Sequence, residues 1–276
     1  MNAPDESDLL AADVASDAKH RFSILDFMLA MMAFAVALGL RQNLTQVPGT
    51  INPQDPFWGA LFFWYTVGFN TVTLFGIILL VRGRWGSAER RVWQPGHIML
   101  IIPFAQIVLL IVAAVLVQLS EIKAEDLGPI TEDVFWHAAF IIIHAGAYLV
   151  SFVFSAIGIY AFRSSRWWTA CFSMLTTLFL LSLIGQLVVV APTILDIPMS
   201  SQSHQWMVFV GNIGTGVMML SCLCVVISVI IDLTRKTPRD VAHWMGLVSL
   251  FGQMLVGRLL LMLAMQFVDP VRLFGR

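Results

Sequence analysis

Seven long apolar runs, at 22–40, 57–81, 98–118, 134–162, 167–191, 206–231 and 241–268, constrain this chain more than any other feature. Each is long enough to cross roughly 30 Å of hydrocarbon at about 1.5 Å of helical rise per residue. Inside hydrocarbon a backbone must satisfy its own N–H and C=O groups, and apolar runs without alternating polarity do so as helices, not as barrel strands. Composition agrees, since 58% of the 276 residues are hydrophobic and 12% are charged, a balance foreign to water-soluble globules of this length. The expected fold class is all-α, an integral membrane bundle of seven transmembrane helices in a single domain, 22–276. Residues 1–21, with Asp5, Glu6, Asp8, Asp13 and Asp17, are expected to form a disordered acidic cytoplasmic tail.

Orientation follows from the basic residues. With the N-terminus inside, the cytoplasmic segments hold Lys19, Arg21, Arg82, Arg84, Arg90, Arg91, Arg163, Arg166, Arg235, Lys236 and Arg239. The opposite side holds only Arg41, Lys123, Arg272 and Arg276. Positive-inside bias therefore predicts an inside N-terminus and an outside C-terminus in the cell inner membrane, with Trp85, Trp167, Trp168 and Trp244 as interfacial anchors. Seven spans in this sense exclude the usual receptor and rhodopsin orientation, and the last run has no Lys to carry a retinal. Ala37-Leu38-Gly39 offers a cleavage-like site, but the long acidic stretch before it is unlike a short basic signal region, so the first helix is expected to be a retained anchor. The segment R-F-S-I-L-D-F-M-L-A-M-M-A-F-A-V-A-L-G-L from Arg21 to Leu40 resembles one that opens many uncharacterised bacterial membrane proteins, a likeness that implies no activity.

A repeat is visible within the apolar runs. D-P-F-W-G-A-L-F from Asp55 and D-V-F-W-H-A-A-F from Asp133 share one frame, and a glycine follows tryptophan by the same interval at Trp58/Gly68, Trp136/Gly146 and Trp206/Gly216. The alternate runs share a glutamine flanked by apolar residues at Gln106, Gln186 and Gln253. The pattern suggests one leading helix and three similar hairpins, which would bring equivalent small and polar positions around a common interior. Gly211-Asn212-Ile213-Gly214-Thr215-Gly216 is expected to admit a neighbouring backbone, and Gly246, Gln253 and Gly257 to share one face of the last helix. Plain helix packing competes with any functional use of these glycines.

Catalytic and metal chemistry find no foothold in the pattern. Cys222 and Cys224 point to different faces and Cys171 stands alone, as expected of small apolar fillers. Neither a phosphate loop, nor a zinc-type histidine pair, nor a nucleophile elbow occurs, and the loops are too short for a soluble catalytic domain. His137 and His144 lie seven apart on one face, a spacing that invites a haem, but no second buried histidine is expected as an opposite ligand. Tyr148 and Ser151 near His144 are the only residues to suggest lipid chemistry. No cofactor, metal or nucleic acid is expected, and an enzyme is the less favoured class.

Arg258 demands an explanation. It lies about 15 Å below the outer end of its helix by helical rise, where an unpaired guanidinium is costly. Asp26, the one carboxylate expected inside a span, sits at the other end of the first helix. His144 reaches a similar depth and Asn70 and Gln106 a slightly greater one, so these residues, with Gln253, are the candidate binding residues of a polar layer. Two readings stand level: an anchor for a small polar or anionic solute, or interhelical glue around a buried arginine.

A second function class comes from topology. The outer loop 120–133 carries Glu121, Glu125, Asp126, Glu132 and Asp133 against Lys123, a surface able to dock a basic partner, though such loops are commonly just solvated. Seven spans with T-E-D-V-F-W-H-A-A-F from Thr131 to Phe140 resemble subunit three of the cytochrome oxidases, which implies a non-catalytic membrane subunit of a respiratory complex. The family's intramembrane glutamate and its histidine-rich motifs have no counterpart here.

Overall fold

The computed structural model describes residues 23–43, 56–85, 93–127, 137–194, 201–235 and 239–267. All their regular structure is helical. The helices are α1 (Ile24–Asn43), α2 (Pro56–Trp85), α3 (Pro95–Leu127), α4 (137–161), α5 (Arg166–Ile194), α6 (Ser201–Thr234) and α7 (241–267). Helix α4 passes through a π-helical turn at Ile142–Gly146 before Ala147–Ala161, and α7 through another at Gly252–Val256. Six stretches are long and apolar enough to cross a membrane: Ile24–Gln42, Pro56–Arg82, Pro95–Leu119, Arg166–Val188, Asn212–Thr234 and Val241–Ala264.

Local chemistry explains these boundaries. Pro56 and Pro95 occupy first helical positions, where a missing N–H costs nothing and the fixed φ favours the helix. Asp240 caps α7 by accepting a hydrogen bond from the His243 N–H. Within the helices, Ser and Thr hydroxyls close back on carbonyls one turn earlier, as Thr66 on Phe62, Thr71 on Val67, Thr176 on Phe172 and Ser228 on Cys224. These side chains satisfy themselves on their own helix, which makes them tolerable in an apolar phase and leaves their hydroxyl protons unavailable to a solute.

Packing departs from three equivalent hairpins. Helix α5 packs on both α4 and α6, as adjacent antiparallel helices do, but α7 packs on α3 and α2 and barely approaches α6. The main core forms where α3, α5 and α7 meet, with Ile98, Met99, Ile102, Phe172, Leu175, Leu247 and Leu250 buried and Val225 added from α6. Helix α1 rests on α2, burying Ala33 and Ala37 while Phe27, Met28 and Met31 remain exposed.

The glycines that permit this packing are mostly not those the repeat singled out. A Cβ on Gly96 would stand 2.0 Å from the His243 carbonyl oxygen, and one on Gly246 would stand 1.8 Å from that of Gly96, so α3 and α7 cross backbone to backbone. Gly257 is likewise close to the Tyr65 hydroxyl, at 2.4 Å from a built Cβ. By contrast Gly68, Gly214 and Gly216 have nothing within 4 Å of a Cβ. The expectation of close approach is thus corrected at Gly214 and Gly216: α7, which would have been the hairpin partner, has gone to α3 instead.

Candidate functional site

Polar side chains gather at two levels. The first lies at the end of the bundle where α1, α3, α5 and α7 begin, and its sequence basis is a matched pair of helix starts. Gln94-Pro95-Gly96-His97 opens α3 and Asp240-Val241-Ala242-His243 opens α7, each with a polar residue three before a histidine. The two starts cap one another. The Asp240 N–H donates to the Gln94 side-chain oxygen at 3.1 Å, and the Gly96 N–H donates to His243 Nδ1 at 2.9 Å. His97 Nδ1 accepts from the Gln94 N–H at 3.2 Å, which assigns its proton to Nε2, 2.9 and 3.0 Å from the two Asp240 carboxylate oxygens. Burial pushes the Asp240 carboxyl up, but the hydrogen bonds from His97 and the His243 N–H prevail and hold it below the usual carboxylate range.

His243 is fully buried, edge-on to Trp168 and Trp244. Since its Nδ1 accepts, its proton sits on Nε2, which finds no hydrogen-bond partner among the described residues. Beside it, Asp232 accepts from Trp168 Nε1 at 3.2 Å and from Arg239 at 2.9 and 2.7 Å. Asp26 pairs with Arg82 at the same end. This assembly corrects three expectations. His97 and His243 are both buried histidines, Asp232 is a second carboxylate within an apolar span, and Trp168 is a core residue at 2% exposure, not an interfacial anchor. His97 and Asp232 escaped sequence reasoning because the third run starts at residue 98 and the sixth ends at 231, whereas Trp168 and His243 lie inside their runs and are buried only by the helices that come to cover them. The repeated spacing of cap and histidine was the available signal.

The second level lies nearer the other end and holds the residues expected to bind solute. Arg258 is exposed on α7 and donates to the Thr215 hydroxyl of α6 at 3.1 Å, within electrostatic reach of the Tyr148 phenol of α4. Its other N–H donors have no partner among the described residues. Gln106 donates to the Ser151 hydroxyl at 2.9 Å, and Ser151 donates to the Ala147 carbonyl at 2.6 Å, one turn from Tyr148. Gln253 lies in the π turn of α7, and its carbonyl accepts from the Tyr65 hydroxyl at 2.7 Å. Asn70 is buried on α2, between Tyr65 and Thr73, whose hydroxyl meets that of Ser249 on α7. Hence Arg258 and Gln106 flank the same part of α4, whereas Gln253 belongs to the α2–α7 contact through its carbonyl and Asn70 is buried on α2. The His144 side chain, the N-terminal tail and residues 128–133 of the acidic loop lie outside the described residues.

Cys171 does not stand alone. It is buried in the main core with Cys224 packed against that core, and both Cys222 and Cys224 lie within its electrostatic reach, because α5 and α6 are packed along their length. All three thiols are free. Among the described residues, no group of three or more His, Cys, Asp or Glu side chains is placed to hold a metal ion.

Compared with known proteins, the chain matches no family model, no curated protein and no solved structure.

Proposed function

We propose that this chain is a seven-span protein of the cell inner membrane, N-terminus inside and C-terminus outside, that binds or passes a small polar or anionic solute. The seventh span is α4, which runs helically from 137 to 161 because the π turn bends the ladder without ending it. The inside N-terminus draws support from Arg82, Arg163, Arg166, Arg235 and Arg239, all at the end where α1 begins.

Arg258 carries the solute reading. A guanidinium offers five N–H donors in a planar fork suited to carboxylate or phosphate, and among the described residues this one gives a single hydrogen bond, to a neutral hydroxyl. Interhelical glue would spend more of those donors on carbonyls and amides of neighbouring helices. A charge left so underused at this depth favours an anion as its missing partner.

Thermal unfolding of the purified full chain in detergent, with phosphate, sulfate, acetate or citrate added in turn, tests the reading. An anion that binds the native state raises the Tm of the wild type. It raises that of Arg258→Lys in part and leaves Arg258→Leu unmoved. A panel that shifts nothing, or shifts Arg258→Leu as far as the wild type, sinks the anion site; co-purification of other membrane subunits would favour the respiratory-subunit class in its place.

A further inference from the structure

The walls around Arg258 narrow the class of anion, an argument that rests on the anion-binding reading above. Helix α6 follows α5 and barely approaches α7, so the hydrogen bond from Arg258 to Thr215 spans a gap between two helices that are otherwise hardly in contact. Behind the gap Tyr148 of α4 and Met254 of α7 pack against the main core. In front, the described residues of both helices leave it open. On α6, Asn212, Thr215, Gly216 and Met219 share one face at helical spacing, with Asn212 and Gly216 exposed and nothing within 4 Å of a Cβ on Gly216. On α7, Leu255, Arg258 and Met262 share a face in the same way, all of them exposed.

A water-soluble anion is poorly matched to such a place. Among the described residues its headgroup contacts would be the Arg258 guanidinium, the amide of Asn212 and the Tyr148 hydroxyl behind them, while the side chains facing outward from the gap are aliphatic and open sideways to the bilayer, including Met219, Leu220, Leu255 and Met262 at 49%, 51%, 43% and 38% exposure. An aqueous ion brought there loses its hydration shell over surfaces that return no hydrogen bonds. A molecule with an acyl chain loses nothing by lying against them, since that chain is already in hydrocarbon. Its charged end, drawn below the headgroup level, finds the one fixed positive charge at that depth of α7.

We infer that the Arg258 cleft is a lateral site for an anionic amphiphile, an acyl chain ending in a carboxylate or phosphate, that enters between α6 and α7 from the bilayer. Arg258 holds the headgroup, its guanidinium positioned by the hydrogen bond to Thr215. Gly216 leaves room beside it, and Met219, Leu255 and Met262 line the chain.

Electron paramagnetic resonance of spin-labelled lipids, with the full chain reconstituted in phosphatidylcholine bilayers, reads the motionally restrained fraction directly. The probes are spin-labelled stearate, its methyl ester, and spin-labelled phosphatidic acid, which separate charge from chain and carboxylate from phosphate. The wild type is expected to retain stearate or phosphatidic acid over the methyl ester by roughly tenfold, the scale of one charge-assisted contact. Arg258→Lys keeps the preference and Arg258→Leu erases it. Gly216→Leu, at an open position that folding tolerates, lowers retention of the anions by filling the headgroup space. Equal retention of stearate, phosphatidic acid and the ester by the wild type overturns the inference, as does a preference that survives Arg258→Leu or Gly216→Leu. Should Arg258→Leu fail to insert, the wild-type and Gly216→Leu comparisons still decide. Soluble phosphate or citrate that raises the Tm through Arg258 without any stearate or phosphatidic acid preference overturns the amphiphile and leaves the anion site standing; loss of both responses removes both.

Discussion

Asp240 performs three tasks at once. It caps α7 through the His243 N–H, it receives His97 Nε2–H from α3, and its own N–H is taken by Gln94. Replacing it with alanine removes the cap and the cross-helix bond together, at about 1–2 kcal/mol. The hydrogen bonds to its charged form depress its native titration, so its contribution is complete above the unfolded value of about 3.9 and is lost as pH falls through the lower native value. Thermal unfolding in detergent should therefore show Asp240→Ala below the wild type equally at pH 7 and pH 5, with the two converging only below about pH 4. Convergence between pH 7 and pH 5 would assign the effect to a histidine instead. At this scale Arg258 was legible in the sequence, because a charge deep in an apolar run stands out by itself. His97 and Asp232 were not, because each lies at a run's edge, where burial depends on which helix comes to cover it.

Helices here are defined twice, once by their own residues and once by their neighbours. Apolar length, proline at the starts of α2 and α3, and hydroxyls that bond within their own helix are local properties, and they produce the same helices whatever packs outside. Crossing points are another matter. Gly96 and Gly246 bring α3 and α7 into backbone contact, whereas Gly216 belongs to an open face, and no local pattern separates these glycines. Gly96→Ala and Gly246→Ala should each cost about 1–3 kcal/mol or more by forcing the crossing apart, while Gly216→Ala should be neutral or stabilising by up to about 1 kcal/mol through helix propensity. The relative Tm values of the three purified variants check this. A loss at Gly216→Ala as large as at Gly96→Ala would mean that the α6 face is covered in the membrane.

Across the whole molecule, α7 departs from chain order by packing on α3 and α2, and this choice shapes everything around Arg258. Had it paired with α6 as the repeat suggested, Thr215 and Gly216 would lie in a tight hairpin seam and Arg258 would be enclosed. Instead one end of the bundle is closed by the Gln94–His97 and Asp240–His243 clasp, the Asp232–Arg239 pair and the core beneath them, while toward the other end the described residues leave α6 and α7 apart. The orientation of this asymmetry is itself testable. In intact spheroplasts an impermeant maleimide should label Glu125→Cys and spare Ser164→Cys until the membrane is permeabilised; the reverse order would invert the proposed topology.

By itself the sequence determined the solvent and the elements: apolar runs of this length must enter lipid, and a backbone in lipid must close its hydrogen bonds as helix. It also exposed the one deep arginine, since the cost of a charge in hydrocarbon depends on depth along a single helix. Only the tertiary structure decided which helices are neighbours. In apolar segments every face is greasy, so composition does not mark the face that packs, and the choice falls to where small residues let backbones touch, as Gly96 and Gly246 do. From that choice followed the buried histidine clasp and the open cleft at Arg258, neither of which any single helix contains.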